Sequence, residues 1–434
     1  MIRWKIDRTY NAKRLGGDIA GGLVAALIAL PYGLSMAYLM GLPPIFGVYT
    51  SLVTAPLCAL LGCNPVLIGG TSSVTVPFIA AAVRHQGVAG AAKVCIAAAV
   101  ILLIFCVLRL GRYVARVPNS VVAGFSCGIG AMMVISQLRT VFALPAPAGG
   151  WSERMLAQLI QVMGNLAGAR LAPAVIAFVV AAVATLMAWR MPRGPASLVG
   201  VLAAVVAVRT FGWHEKTVGV LALELPPFAG FQWAPSDVWN VLPDAFGLAV
   251  VTAVNLLITS RVVAHFIGKH RKVRKADADI ELGAYGIANL AAATFGAPTC
   301  VGIPARSLAN VQCGGTTRLS NLIHAGFLLS FLTLGKELIA GIPLAALAGV
   351  TAWTGARLLD WSAWRRLPKM RKIEAASFVA TAFSVLVVNA VAAVAIGCSF
   401  HVLGFVYRRL QRTTLQERRT SGGIAEPPAC SRFT

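Results

Sequence analysis

One arginine in a largely apolar chain is the residue best placed to do chemistry. Arg306 lies in the short segment Pro304-Ala-Arg-Ser-Leu-Ala-Asn310, and a charge at mid-membrane depth costs roughly 2.5–3.5 kcal/mol on insertion scales, so such residues are functional suspects. No carboxylate competes with it: Asp18, Asp244, Glu281, Glu337 and Glu374 all fall at the ends of apolar runs. Thr71, Ser72 and Ser73 open a second short segment after Gly69-Gly70, and Pro304, suited to a first helical turn, opens the one carrying Arg306. Two half-length helices starting at membrane depth would aim free N–H groups and positive dipole ends at one cavity. With Arg306 added, that cavity favours an anion. The alternative is a structural guanidinium bonded to carbonyls where a helix is broken.

Other polar residues carry weaker signals. Asn255 and Thr259 are one helical turn apart and share a face. Asn offers a carbonyl oxygen but no negative charge and no titratable proton, so a hard cation would be held weakly there; a helix-packing amide is the alternative. Arg261, near the end of its apolar run, can snorkel to the surface. His265, His270, His324 and His401 lack metal-ligand spacing, and no HExxH or GxSxG motif falls in an apolar run. The nine cysteines are scattered without a CxxC and read as small packing residues. No enzyme chemistry, metal or cofactor is expected.

The elements that would position these residues are membrane spans. Of 434 residues, 58% are hydrophobic and 12% charged, with mean hydropathy +0.76. That composition excludes a soluble enzyme. At about 20 residues each, fourteen spans would use roughly 280 residues. Apolar runs fall near 18–38, 44–62, 89–110, 118–138, 172–190, 194–209, 243–265, 317–335, 337–358 and 375–409, the last split near Asn389. The stretch 279–297 is long enough to cross, whereas 71–83 and 304–313 are too short. Irregular backbone at that depth is tolerated only inside protein or around a cavity. The result is an all-α polytopic membrane protein of fourteen elements. The short ones are third and tenth, the pattern of a seven-plus-seven inverted repeat with a central site.

The net charge of +23 sits in clusters flanking apolar runs: Arg3 to Arg14, Lys269 to Lys275, Arg365 to Lys372, and Arg408 to Arg419. This is the positive-inside pattern and not a nucleic-acid surface. It predicts a multi-pass protein of the cell membrane, bacterial inner membrane by its alanine-rich, loop-poor style, with both termini cytoplasmic. The N-terminal residues show no apolar h-region or small-residue cleavage site of a secretory signal, and the first span is expected to act as its own insertion signal. Residues 1–17 read as a cytoplasmic segment, 18–409 as the transmembrane unit (repeats 18–209 and 243–409), and 410–434 as a disordered tail. An interfacial helix is expected over about 153–165.

Several motifs are more specific. Leu30-Pro-Tyr-Gly-Leu-Ser-Met-Ala-Tyr38, Gly41-Leu-Pro-Pro-Ile-Phe-Gly-Val-Tyr49 and Leu60-Leu-Gly-Cys-Asn-Pro-Val-Leu-Ile-Gly-Gly-Thr-Ser72 resemble the first signatures of the sulfate permease (SulP) family, solute carrier family 26. Glu281-Leu-Gly-Ala-Tyr-Gly-Ile-Ala-Asn289, Pro304-Ala-Arg-Ser-Leu-Ala-Asn310 and Gly314-Gly-Thr-Thr-Arg318 resemble its ninth- and tenth-span signatures. The resemblance implies core and gate domains, an anion held between helices 3 and 10, and elevator-type transport. It implies substrate contacts at Tyr32, Met36, Thr71, Ser72, Ala305, Arg306 and Ser307. Gly70 stands where the family usually has proline. Many bacterial relatives carry an acid at the Asn255 position, and sodium-coupled bicarbonate carriers use that acid with a threonine at the Thr259 position. Sodium or proton coupling is therefore expected to be altered or absent, leaving an exchanger or uniporter. The family's C-terminal STAS domain has no counterpart in these 434 residues, and a homodimer would not lean on it.

The reading that results is a secondary active transporter for a small inorganic anion, sulfate or bicarbonate foremost, working in the lipid bilayer. An anion channel or a dicarboxylate carrier on the same scaffold is the alternative. A nucleobase permease fits less well, because such carriers place acids in helices 8 and 10.

Overall fold

A computed structural model describes residues 10–114, 118–145, 155–191, 195–219, 233–268, 277–388 and 392–404. The first half holds α1 (Ala12–Leu39), α2 (Ile45–Leu61), strand β1 (Gly69–Thr71), α3 (Val76–Val107) and α4 (Gly111–Val114). It continues through α5 (Asn119–Val141), α6 (Met155–Gly164), α7 (Leu171–Arg190) and α8 (Ala196–Thr210). The second half holds α9 (Pro235–Gly268), α10 (Ala278–Ala293), β2 (Cys300–Gly302), α11 (Pro304–Gln312) and α12 (Leu319–Leu334). Then come α13 (Lys336–Ala340), α14 (Leu344–Leu358), α15 (Trp361–Arg366), α16 (Lys372–Val387) and α17 (Ala392–Gly404). Among the described residues, five helices are long and apolar enough to cross a membrane: those containing α1, α3, α5, α7 and α9. The chain is an all-α polytopic membrane protein.

The helix ends follow local chemistry. The Asn11 side chain accepts from the Arg14 amide to cap α1, and Asp277 accepts from the Asp279 amide to cap α10. Asp279 and Glu281 lie in the first turn of α10, where the helix dipole favours them. Pro304 opens α11 at the position where a missing N–H costs nothing.

The short element expected at 71–83 runs on to the next span, but not as one straight helix. Gly87, at φ 70° and ψ −175°, breaks α3 between them, and that left-handed φ suits glycine. The apolar run at 337–358 is likewise two helices. Gly341-Ile342-Pro343 separates α13 from α14, because proline cannot continue the α13 hydrogen bonding. The expected helix over 153–165 is α6, with Gln158 and Val162 buried. The break near 390 is flanked by α16 and α17, although Asn389 itself lies outside the described residues. So do the cations at Arg3 to Arg8 and Lys269 to Lys275, and the tail from 405.

Packing divides the helices into two groups. One comprises α1, α2, α3, α9, α10, α11 and α12; the other comprises α5, α7, α8, α14 and α16. They meet where α1 lies against α8 and α14. Within the first group, and alone among the described residues, lies a two-stranded sheet, β1 and β2 paired antiparallel with Gly69 opposite Gly302, Gly70 opposite Val301 and Thr71 opposite Cys300.

Candidate functional site

The strand pair sets the geometry. Because β1 and β2 run in opposite directions, the helices that follow them leave in opposite directions, and both N-termini face the strand pair. Three paired residues span roughly 10 Å, so two sets of first-turn amides, which have no partner within their own helix, converge on a short stretch of the fold. All six strand residues are buried.

Polar side chains hold this pair in place. The Asn289 amide accepts from the Cys300 N–H at 2.6 Å and donates to the Cys300 carbonyl at 3.0 Å. Asn321 donates to the Leu67 carbonyl at 2.7 Å and Asn310 to that of Val66 at 3.3 Å. The Ser307 hydroxyl accepts from the Ile68 N–H at 2.9 Å and donates to the Ile303 carbonyl at 2.8 Å. Thr71 donates to the Gly47 carbonyl at 2.8 Å, which ties β1 to α2. The buried Glu281 accepts from the Cys63 and Asn64 amides at 2.8 and 3.3 Å, fixing the turn that leads into β1. Asp18 does the same after α11, accepting from Thr316 and Thr317 amides at 2.7 and 3.1 Å. An Asn289→Ala variant strips both partners from Cys300. At about 1–3 kcal/mol for each stranded group, it should be among the most destabilising polar substitutions, read as a lower melting temperature in detergent.

Arg306 sits behind this scaffold with no solvent exposure. Its Nη1 donates to Ser51 Oγ at 3.0 Å, its Nη2 reaches the Ala29 carbonyl at 3.5 Å, and Nε has no partner. The guanidinium carbon lies 5.4 Å from the centre of the Tyr32 ring, a cation–π arrangement. The Tyr32 hydroxyl in turn accepts from the Ser73 amide at 3.3 Å, at the start of the turn that precedes α3. Arg306 is therefore bonded to one hydroxyl and one long carbonyl contact, with no carboxylate partner. Among the described residues its positive charge has no ion-pair partner; it lies in the first turn of α11, with Nη1 close against Gly70 of β1. Gly70 makes room for it: a Cβ there would lie 2.1 Å from Arg306 Nη1 and 2.5 Å from Ser51 Oγ.

Tyr32 and Ala305 open onto a vestibule of about 430 Å³ between the two helix groups, which also meets Ser197, Gln312, Trp353 and Arg357. Its lining includes no Asp or Glu. A second cavity, about 390 Å³, lies where α1 ends and is bordered by Leu39, Val76, Arg84, His85 and Asp244. The strand pair thus stands between two openings. Ala305 is exposed to its vestibule, and Ser72 and Met36 are buried.

Asn255 and Thr259 occupy a different place. Thr259 donates to Asn255 Oδ1 at 3.3 Å, and Asn255 borders an apolar cavity with Phe125, Ser126 and Val394. Sequence reading missed the strand pair, Ser51, Asn289 and Asn321. The Gly-Gly-Thr and Cys-Val-Gly triplets before each short helix were the available signal.

Strand-crossed half-length helices, an unpaired buried guanidinium and a carboxylate-free vestibule define a membrane carrier for anions. The sulfate permease family profile matches residues 15–381. The chain is 30% identical over 411 residues to the bicarbonate transporter BicA of Picosynechococcus sp., covering 91% of this chain and 70% of that one. A probable sulfate transporter of Mycobacterium tuberculosis is 28% identical over 390 residues, covering 87% and 68%. Among solved structures, the transmembrane domain of a cyanobacterial BicA superposes with a TM-score of 0.78 at 26% identity, covering 90% of this chain and 98% of that one. SLC26A9 shares the fold, with a TM-score of 0.82 at 21% identity over 92% of this chain and 66% of its own. The chain belongs to the sulfate permease family.

Proposed function

We propose that this chain moves a small inorganic oxyanion, sulfate or bicarbonate, across the bilayer by an elevator-type motion, holding it between the N-termini of the α3 and α11 helices. The observation that carries this is Arg306: buried, without an acidic partner among the described residues, and placed in the first turn of α11 close against Gly70 of β1. The relatives' names supply the two oxyanions. In this reading the fourteen elements form a seven-plus-seven inverted repeat (18–209 and 243–409), with both termini cytoplasmic. The group containing α1, α3 and α11 is the moving core, and the group containing α5, α7, α8 and α14 is the gate. Tyr32, Met36, Thr71, Ser72, Ala305, Arg306 and Ser307 form the substrate region. Thr71 and Ser307 act through their bonds to Gly47 and Ile68, which hold the backbone in position. The test is radiotracer flux in proteoliposomes over a panel of anions. Saturable counterflow identifies a carrier, and current without counter-transport identifies a channel and overturns the reading.

Asn255 supports sodium independence. Its Oδ1 accepts from Thr259, and it brings no charge to a hard cation. Wild-type uptake is expected to be the same in sodium and in potassium or choline. Asn255→Asp supplies the missing charge beside Thr259, and a sodium requirement appearing in that variant would support the assignment. Sodium-dependent uptake by the wild type, saturating at low millimolar concentrations, would reverse it.

A further inference from the structure

A cavity where α1 ends gathers positive charge that the central site does not explain. It measures about 400 Å³ and lies between Tyr38 of α1 and the second helix group, where Arg139 falls in the last turn of α5, Arg170 precedes α7 and Lys216 follows α8. Tyr38 is about 9 Å beyond Tyr32 along α1, at 1.5 Å per residue, so this opening and the vestibule at Tyr32 lie at different depths.

All three cations are exposed to solution. One acid, Glu215, shares the lining, and Arg170 already holds it at 3.0 Å. Among the described residues, Arg139 and Lys216 have no ion-pair partner. The dipole at the end of α5 accounts for a cation at Arg139. It does not account for two more around the same space, where like charges repel.

The walls of the cavity are fixed by backbone bonds. The Leu344 N–H donates to the Lys216 carbonyl at 2.8 Å and the Val218 N–H to the Ile342 carbonyl at 2.9 Å, which laces the segment carrying Glu215 and Lys216 to the start of α14. The Arg170 N–H donates to the Phe142 carbonyl at 2.9 Å, which ties the start of α7 to the end of α5. The positive dipole ends of α7 and α14 border the same space at Pro173 and Leu344. On α5 the cavity meets Arg139, Thr140 and Ala143, whereas Leu138, Val141 and Phe142 line a separate apolar groove. Helical spacing puts these two sets on opposite faces. The groove suited to an acyl chain thus lies on the other side of α5, and the charge of the cavity suits a dissolved oxyanion.

We infer that this cavity is a second oxyanion site, separate from the one at Arg306, which gathers the anion at the face where α1 ends before the core presents Arg306 to that face. Two cations without acidic partners on a fixed wall raise the local anion concentration and the rate of capture. Because Arg139, Arg170 and Lys216 belong to the gate, they act on anion arriving from this face and not from the other. The inference rests on the anion-transport reading above.

The test compares uptake of labelled sulfate and labelled bicarbonate by right-side-out and inverted membrane vesicles containing the full chain. With cytoplasmic termini, right-side-out vesicles present the face where α1 ends. The double variant Arg139→Gln, Lys216→Gln is expected to raise KM roughly tenfold from this face, with Vmax unchanged and KM from the opposite face unchanged. Both side chains are exposed, so their loss leaves the packing intact. If the variant nevertheless fails to fold, the wild type decides: its KM from this face should rise as inert salt is added, and salt independence overturns the site. An unchanged KM in the variant, or an equal change from both faces, overturns it as well while leaving transport standing. The same rise in proteoliposomes of pure phosphatidylcholine supports a dissolved anion, and a rise that needs anionic lipid overturns that assignment. Uptake of neither anion by the wild type would instead overturn the transport reading, and this site with it.

Discussion

Arg306→Ala is expected to abolish anion uptake into proteoliposomes while the chain still purifies as a monodisperse, cooperatively melting protein. The asymmetry comes from what the guanidinium touches. Within the protein it donates only to Ser51 Oγ and, at 3.5 Å, the Ala29 carbonyl, and lies over the Tyr32 ring, so its removal strands no charged partner. Towards an anion it contributes a full charge in a site with no carboxylate to dilute it. At an effective dielectric of about 20 and roughly 5 Å, a charge pair is worth roughly 3 kcal/mol, or a few-hundredfold in affinity. Arg306→Lys should fall between the two, because a single ammonium on a flexible stem cannot reproduce the fork that reaches Ser51 and Ala29 together. Ser51→Ala should have a smaller effect, since it loosens the guanidinium without removing its charge. Uptake by Arg306→Ala at the wild-type rate would reduce the residue to scaffold.

Most of the polypeptide's course was readable because membrane spans announce themselves by length and hydropathy. The boundaries of α1, α2, α5 and α7 follow the apolar runs closely. Arg306 was readable for the same reason, since a charge is conspicuous where the surroundings are uniformly apolar. The strand pair was not readable. Three-residue strands carry no periodicity, and Gly69, Gly70 and Gly302 resemble any flexible turn until they are seen paired across more than two hundred residues. The same holds for Asn289, Asn310 and Asn321, whose amides act on backbone distant in sequence or beyond a turn. A breaker such as Gly341-Ile342-Pro343 is visible in sequence but is outvoted by the hydropathy on either side, which is why one run resolves into two helices. The likeness to the family placed Gly70 only as a departure, whereas its physical reason, the volume taken by a guanidinium from the other half of the chain, needs coordinates.

That volume yields the second large effect. Gly70→Ala is expected to lower turnover by an amount corresponding to roughly 1–3 kcal/mol of overpacking, with the chain folded. The new Cβ would fall 2.1 Å from Arg306 Nη1, far inside contact distance, so one side must yield. The backbone of β1 and its lead-in is pinned by Thr71 to Gly47, by Ser307 to Ile68 and by Asn321 to Leu67. The guanidinium is the free end of a flexible side chain, and it should be the group that moves, losing Ser51 and shifting from its place against β1. Because the damage acts through Arg306, the two substitutions should not add. In an Arg306→Ala background, Gly70→Ala should cost little beyond a rotation of Ser51 Oγ, 2.5 Å from the same Cβ. A double-mutant cycle on anion affinity reads this as a coupling energy between residues in contact. Full additivity would show that Gly70 serves the strand alone and has no part in seating the charge.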